Sequence, residues 1–252
     1  MDSLQLKIFI PLIASHFLVD FTLQTDKDVI QKRRFLIFTK HIILLTILSY
    51  LFLGVFDNFV IVLLVLLTHT LIDLGKLKIR NDNIWIFIAD QLAHIAVLII
   101  MAKSTNISLK DNSKFFWEEC FGNNYYLILI LLTSLIIVTK FSGILINFVL
   151  KPLQSKIFNY EENNNISLPQ TGKLIGYIER FIILLSIMMN IPALIGFLIT
   201  AKSILRYSEI KSENDKLFVE YILIGTLLSF SLGITFSYLT QQSIDYLKIA
   251  LL

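Results

Sequence analysis

The segments SHFLVDFTLQ at 15–24 and THTLIDLGK at 68–76 set a histidine four residues before an aspartate inside an apolar run. A spacing of four places both side chains on one face of a helix. His41 and His94 complete the histidines of the chain, and Asp90 stands four residues before His94. The interval from His16 to His41 is 25 residues and that from His69 to His94 is 25, so 15–45 maps onto 68–98 with an offset of 53. Under that offset Ser15 meets Thr68, His16 meets His69, Leu18 meets Leu71, Asp20 meets Asp73 and His41 meets His94. We read a tandem repeat of helical hairpins. Asp90 breaks the repeat, because its counterpart is Ile37.

Composition sets the class. Of 252 residues 56% are hydrophobic and 16% charged, against roughly a quarter charged in soluble domains. The chain is expected to be an all-α, polytopic transmembrane helical bundle whose partner is the lipid bilayer. A bilayer core needs about 20 apolar residues per helix, which gives eight spans near 4–23, 35–54, 56–76, 84–103, 125–150, 173–189, 191–206 and 217–240. Asn190-Ile191-Pro192 is read as a tight turn between two short spans, with a single kinked helix as the alternative. Lys140 within the fifth span requires either a long tilted helix or an end, 141–153, lying along the interface. The first span lacks a basic leader and a small-residue cleavage site and carries His16 and Asp20, so it is expected to be retained. The single cysteine, Cys120, excludes an intrachain disulfide and a thiolate metal cluster. A net charge of +3 from loop lysines and arginines gives no reason to expect nucleic acid.

Lysine and arginine also set the orientation. Fifteen of them follow spans one, three, five and seven, and five lie on the other side (Lys7, Lys103, Lys110, Lys114 and Lys248), so the first set is cytoplasmic and both termini are outside. Trp117, Tyr125 and Tyr126 then fall at the outer interface, which favours such aromatics. Asp26, Asp28 and Lys32-Arg33-Arg34 read as a solvated loop and topology signal. His16/Asp20 and His69/Asp73 come late in inward-running helices, and His41 and His94 come early in outward-running ones. All four helices therefore present polar groups at one depth near the cytoplasmic leaflet.

Such groups are costly in lipid unless they meet partners. Imidazole and carboxylate suit Zn, Mn or Fe, and helical bundles build one- and two-metal centres from them. The candidate ligands of a divalent metal are His16, Asp20, His41, His69, Asp73, Asp90 and His94. Asp20, Asp73 and Asp90 are the candidate catalytic carboxylates of a hydrolase whose ion activates water. Two other readings use the same residues: a hydrogen-bonded structural network in which Lys76 neutralises Asp73 at i+3, and a proton or ion relay in a transporter. A membrane scaffold needs no site at all.

The second half adds charges near the cytoplasmic ends of its helices. With Lys76, Glu179, Arg180, Lys202 and Arg206 are the candidate substrate-binding residues, able to hold an anionic, lipid-linked or phosphorylated substrate. Structural ion pairing and snorkelling are the alternatives. Gly172, Gly176, Gly225 and Gly233 are expected to permit close helix packing. We divide the chain into a four-helix His/Asp module at 1–103, a four-helix supporting half at 125–252, and a polar cytoplasmic connector at 154–171. Dinucleotide, P-loop, zincin and nucleophile-elbow signatures are absent.

The segments HFLVDFTLQ at 16–24, HTLIDLGK at 69–76, DQLAH at 90–94, GKLIGYIERF at 172–181, AKSILRY at 201–207 and EYILIGTLLS at 220–229 resemble the bacterial membrane-protein family catalogued as domain-of-unknown-function 3307. That resemblance implies a multi-pass protein of the bacterial inner membrane and no assigned reaction. The H-x3-D helices are similar, more distantly, to membrane-bound metal-dependent hydrolases.

Overall fold

The computed structural model describes residues 1–79, 83–104, 114–161, 169–207 and 216–250, with the backbone alone for Asp26, 155–161, 169–171, 205–207 and 216–219. The described chain is helical, with no strand among the described residues. The helices are α1 (Ser3–Leu18), α2 (Asp26–Ile30), α3 (Phe35–Leu53), α4 (Val60–Lys78), α5 (Ile84–Ser104), α6 (Phe116–Phe121), α7 (Asn124–Ile136), α8 (Ser142–Glu161), α9 (Pro169–Met188), α10 (Ala193–Tyr207) and α11 (Lys216–Ala250). Wider π-helical turns at Val19–Leu23 and Ile137–Phe141 prolong α1 and α7.

Among the described residues six helical stretches are long and apolar enough to cross a bilayer: Ser3–Leu23, Phe35–Leu53, Val60–Lys78, Ile84–Ser104, Asn124–Gln154 and Glu220–Ala250. The chain is a multi-pass membrane protein. The sixth and seventh expected spans correspond to α9 and α10, two helices joined at Met189–Pro192, where Asn190 adopts a left-handed φ of 57°. The apolar part of α10, Ala193–Ile204, is shorter than a bilayer crossing. Helix continues through Lys140 by way of the second π turn, so the fifth span is long and does not break at Phe141. The connector 154–171, Arg80, Lys110, Lys156, Lys211 and the side chain of Arg206 lie largely or wholly outside the described residues.

The chain forms two compact units, 1–136 with 243–252, and 137–242. Helix α7, assigned from sequence to the second half, packs in the first unit on α1. The first unit is arranged around α1, of whose apolar stretch 61% is buried against 22–33% for the other five. The N-terminus of α1 is closed by a capping box: Asp2 Oδ1 accepts from the Gln5 backbone N–H at 2.8 Å, and Gln5 Oε1 accepts from the Asp2 N–H at 3.2 Å. On one side Leu12, Leu45, Ile61, Val65 and Leu98 pack around α1, and on another Leu6, Ile10 and Ala14 meet Tyr126, Leu129 and Leu247. At the far end from the histidines Gly54 leaves α3 with φ 65°, Trp117 Nε1 donates to Leu51 O and Tyr125 OH to Phe52 O. Those donors satisfy carbonyls that the end of α3 leaves free.

In the second unit α9 and α11 meet at Gly233, whose added Cβ would stand 3.0 Å from Ile183 Cδ1; one at Gly225 would stand 3.1 Å from Leu150 Cδ1. Gly176 instead faces Arg180 of its own helix, and nothing lies within 4 Å of a Cβ at Gly172, so close packing accounts for Gly225 and Gly233 only.

Candidate functional site

The apolar faces of α1, α3, α4 and α5 meet at a polar layer. His16, His41, His69, Asp73, Asp90 and His94 are buried, and Asp20 is 9% exposed. The structure brings all seven candidate ligands together. The His41 and His69 rings lie 5.3 Å apart and their repeat counterparts, His94 and His16, 5.0 Å apart. The π turn at Val19–Leu23 carries Asp20, where the extra residue per turn re-aims the carboxylate. Asp20 Oδ1 stands 3.8 Å from His16 Nδ1, 3.5 Å from His41 Nε2 and 3.9 Å from His69 Nε2.

Four ligand atoms stand especially close. His41 Nε2 is 3.2 Å from His69 Nε2, and Asp73 Oδ2 is 3.4 and 3.5 Å from those two nitrogens. With Asp20 Oδ1 they give five separations between 3.2 and 3.9 Å. Tetrahedral ligation at about 2.0–2.2 Å sets ligand atoms roughly 3.3–3.6 Å apart. The four imidazole–carboxylate distances exceed ordinary hydrogen bonds, the His41–His69 contact at 3.2 Å is within hydrogen-bond range, and the set fits ligands around a small ion.

Around this quartet, hydrogen bonds fix the nitrogens. Lys76 Nζ donates to Asp90 Oδ2 at 2.6 Å, and Gln91 Nε2 donates to the same oxygen at 3.1 Å. Gln91 Oε1 is thereby turned to accept from His16 Nε2–H at 3.3 Å, which leaves the lone pair of His16 on Nδ1, facing Asp20. His94 Nδ1 donates to the Asp90 carbonyl at 2.9 Å and leaves Nε2 bare. His16 Nδ1, His94 Nε2, Asp20 Oδ1 and Asp90 Oδ1 are buried and make no hydrogen bond among the described residues. A lone pair aimed at a carboxylate oxygen is repulsive until a cation, proton or metal, stands between them. The donor set, two imidazoles and two carboxylates with a third carboxylate beside them, is one that Zn, Mn or Fe accepts.

Lys76 pairs with Asp90 and not with Asp73, as the i+3 reading expected. Asp73 is met by Lys32, whose Nζ lies 2.9 Å from Oδ2 with the lysine side chain only 13% exposed. Lys32 is therefore no solvated loop residue: the chain between α2 and α3 folds its stem under the bundle. Lys40 remains at the surface, 3.8 Å from Asp28. The backbone N–H and hydroxyl of Thr25 hold the Asp28 carboxyl below its ordinary range. Two crevices reach the histidines. One runs among Leu12, Leu45, Ser49, Val65, Thr68 and Leu98 to His16, His69 and His94. The other runs from Asp28, Lys40 and Gln24 to His41.

Glu179, Arg180 and Lys202 belong to the second unit. Lys202 Nζ binds Glu179 Oε1 at 2.6 Å. Buried Arg180 donates from Nε to Val138 O at 2.6 Å, from Nη2 to Thr139 O at 3.0 Å and from Nη1 to Ser229 Oγ at 2.9 Å. Val138 and Thr139 sit in the π turn, whose altered bonding exposes carbonyls that the guanidinium fork can reach.

Residues 8–121 match the family described as "Protein of unknown function (DUF3307)". The match covers the four helices of the polar layer and bears out the resemblance carried by HFLVDFTLQ, HTLIDLGK and DQLAH. No curated protein and no solved structure matches the chain.

Proposed function

We propose that the chain is a divalent-metal-dependent hydrolase of the bacterial inner membrane, acting on a lipid-linked or phosphorylated substrate reached from the cytoplasmic leaflet. The observation that carries this reading is the quartet His41, His69, Asp20 and Asp73, five of whose six ligand-atom separations are 3.2–3.9 Å, where hydrogen bonds leave neighbouring lone pairs bare. These four residues would hold Zn, Mn or Fe. When bound, the ion supplies a Lewis acid and lowers the pKa of a water. His16 and His94 are oriented by Gln91 and by the Asp90 carbonyl, so their bare nitrogens are ready to take the proton that water loses on attack. Asp90, held by Lys76 and Gln91, keeps a free Oδ1 as a third acceptor. The surrounding Leu12, Leu45, Val65 and Leu98 give the site apolar walls that exclude bulk water. Net hydrolysis joins the water oxygen to phosphorus or carbonyl carbon and releases the ester oxygen with a proton.

Metal analysis of the detergent-purified chain tests the reading. About one ion per chain is expected, lost in His41→Ala and His69→Ala and retained in His94→Ala. Protein that stays metal-free after incubation with Zn, Mn and Fe refutes it. The two crevices, approaching the histidines from different residues, favour a second reading: a proton- or ion-coupled transporter in which the carboxylates carry the ion. Uptake by proteoliposomes, without hydrolysis of any ester, selects it.

A further inference from the structure

The charges of the polar layer do not balance once an ion is bound. Asp20, Asp73 and Asp90 contribute three negative charges, and Lys32 and Lys76, paired to Asp73 and Asp90, contribute two positive ones. With neutral imidazoles the layer is left with one negative charge, and a divalent ion converts it to one net positive charge. A net charge inside a membrane bundle needs a partner. An ammonium has three donors. Lys32 directs one at Asp73 and Lys76 one at Asp90, at 2.9 and 2.6 Å, which leaves two on each nitrogen among the described residues. The two carboxylates lie in one cluster with His94, their ligand atoms within 4.8 Å of one another, so the two ammonium groups are both attached to the same cluster. Gln24 lines the crevice to His41 with Lys40, and its buried Nε2 is a donor without an acceptor.

We propose that Lys32 and Lys76 form a two-ammonium clamp that holds a phosphoryl group beside the metal-loaded His/Asp cluster. The proposal rests on the metal reading above and deepens it: the substrate is a phosphomonoester or phosphodiester, and Lys32 is a substrate-binding residue. Inorganic phosphate and a lipid phosphate present the same oxygens to the clamp. They differ in whether an acyl chain comes with the phosphate.

The test uses the full chain in phosphate-free dodecyl maltoside micelles loaded with zinc, titrated with inorganic phosphate by calorimetry, and separately with phosphatidic acid added as a competitor. Phosphate should bind, and Lys32→Met and Lys76→Met should each weaken it about tenfold or more while the zinc content stays unchanged. Lys32→Arg, which keeps the charge, should restore most of the affinity. Competition by phosphatidic acid assigns the clamp to lipid phosphate, and its failure to compete assigns the clamp to a soluble phosphate. A chain that takes up zinc and ignores phosphate, or methionine variants that bind phosphate like the wild type, overturns the clamp alone. A chain that takes up no metal overturns the metal reading and the clamp with it.

Discussion

Replacing Arg180 by lysine keeps the charge and removes the fork. In the wild type three different donors of one guanidinium reach Val138 O, Thr139 O and Ser229 Oγ at 2.6, 3.0 and 2.9 Å. A lysine carries its donors on one nitrogen at the end of a flexible stem and cannot match three acceptors set for a planar group. Side-chain hydrogen bonds in membrane bundles contribute about 0.6 kcal/mol on average and about 1.7 at most. Loss of all three in Arg180→Gln should therefore cost about 2–5 kcal/mol. Arg180→Lys, keeping one contact, should still cost about 1–3 kcal/mol. Glycines around the side chain sharpen the expectation: an added Cβ at Gly176 would stand 3.1 Å from Nη1 and one at Gly143 3.5 Å from Nη2, so the socket is built for this shape. Unfolding by sodium dodecyl sulfate in mixed micelles, followed by circular dichroism, measures both variants. If Arg180→Lys unfolds within about 0.5 kcal/mol of the wild type, charge alone explains the residue and the reasoning from the π turn is wrong.

Three further outcomes are expected. Gly54→Ala should destabilise the first unit by about 1–3 kcal/mol, because Gly54 holds φ 65° and an added Cβ would come 2.6 Å from Trp117 Cδ1; a tryptophan-fluorescence unfolding curve like that of the wild type refutes this. Lys32→Met should cost about 3–5 kcal/mol in metal-free protein, where Asp73 is left as an unpaired buried carboxylate, and clearly less in zinc-saturated protein; equal losses in both states sink the idea. For topology, in a Cys120→Ser background an impermeant maleimide added from outside should label Asp57→Cys and spare Gln31→Cys, and the opposite pattern inverts the assigned orientation.

The convergence of α1, α3, α4 and α5 was legible because histidine is scarce and its spacing repeats, so few arrangements bring His16, His41, His69 and His94 to one depth. The partners of these residues were not legible. Lys32 sits in a run with Arg33 and Arg34 that looks like any solvated loop, and its approach to Asp73 depends on how the chain reverses between α2 and α3. Gln91 carries no periodic signal, yet its amide sets which nitrogen of His16 is free. The π turns leave no mark on apolar periodicity, so neither the aim of Asp20 nor the acceptors awaiting Arg180 followed from spacing. The break between α9 and α10 was readable at Asn190-Ile191-Pro192, because proline lacks the donor that a continuous helix needs.

The two hairpins supply the same three residues each, but Lys32, Lys76, Asp90 and Gln91 have Trp85, Leu23, Ile37 and Phe38 as their repeat counterparts, in either direction of the offset. A pair of identical hairpins would have made a centre with interchangeable sides. In this chain Asp73 has an ammonium at 2.9 Å, whereas among the described residues Asp20 has none within 4.0 Å. The stronger pull on a mobile cation therefore comes from the α1 side, off the midline between the hairpins, and an anion is drawn to the α4 side. The four positions at which the hairpins differ give the polar cluster a front and a back.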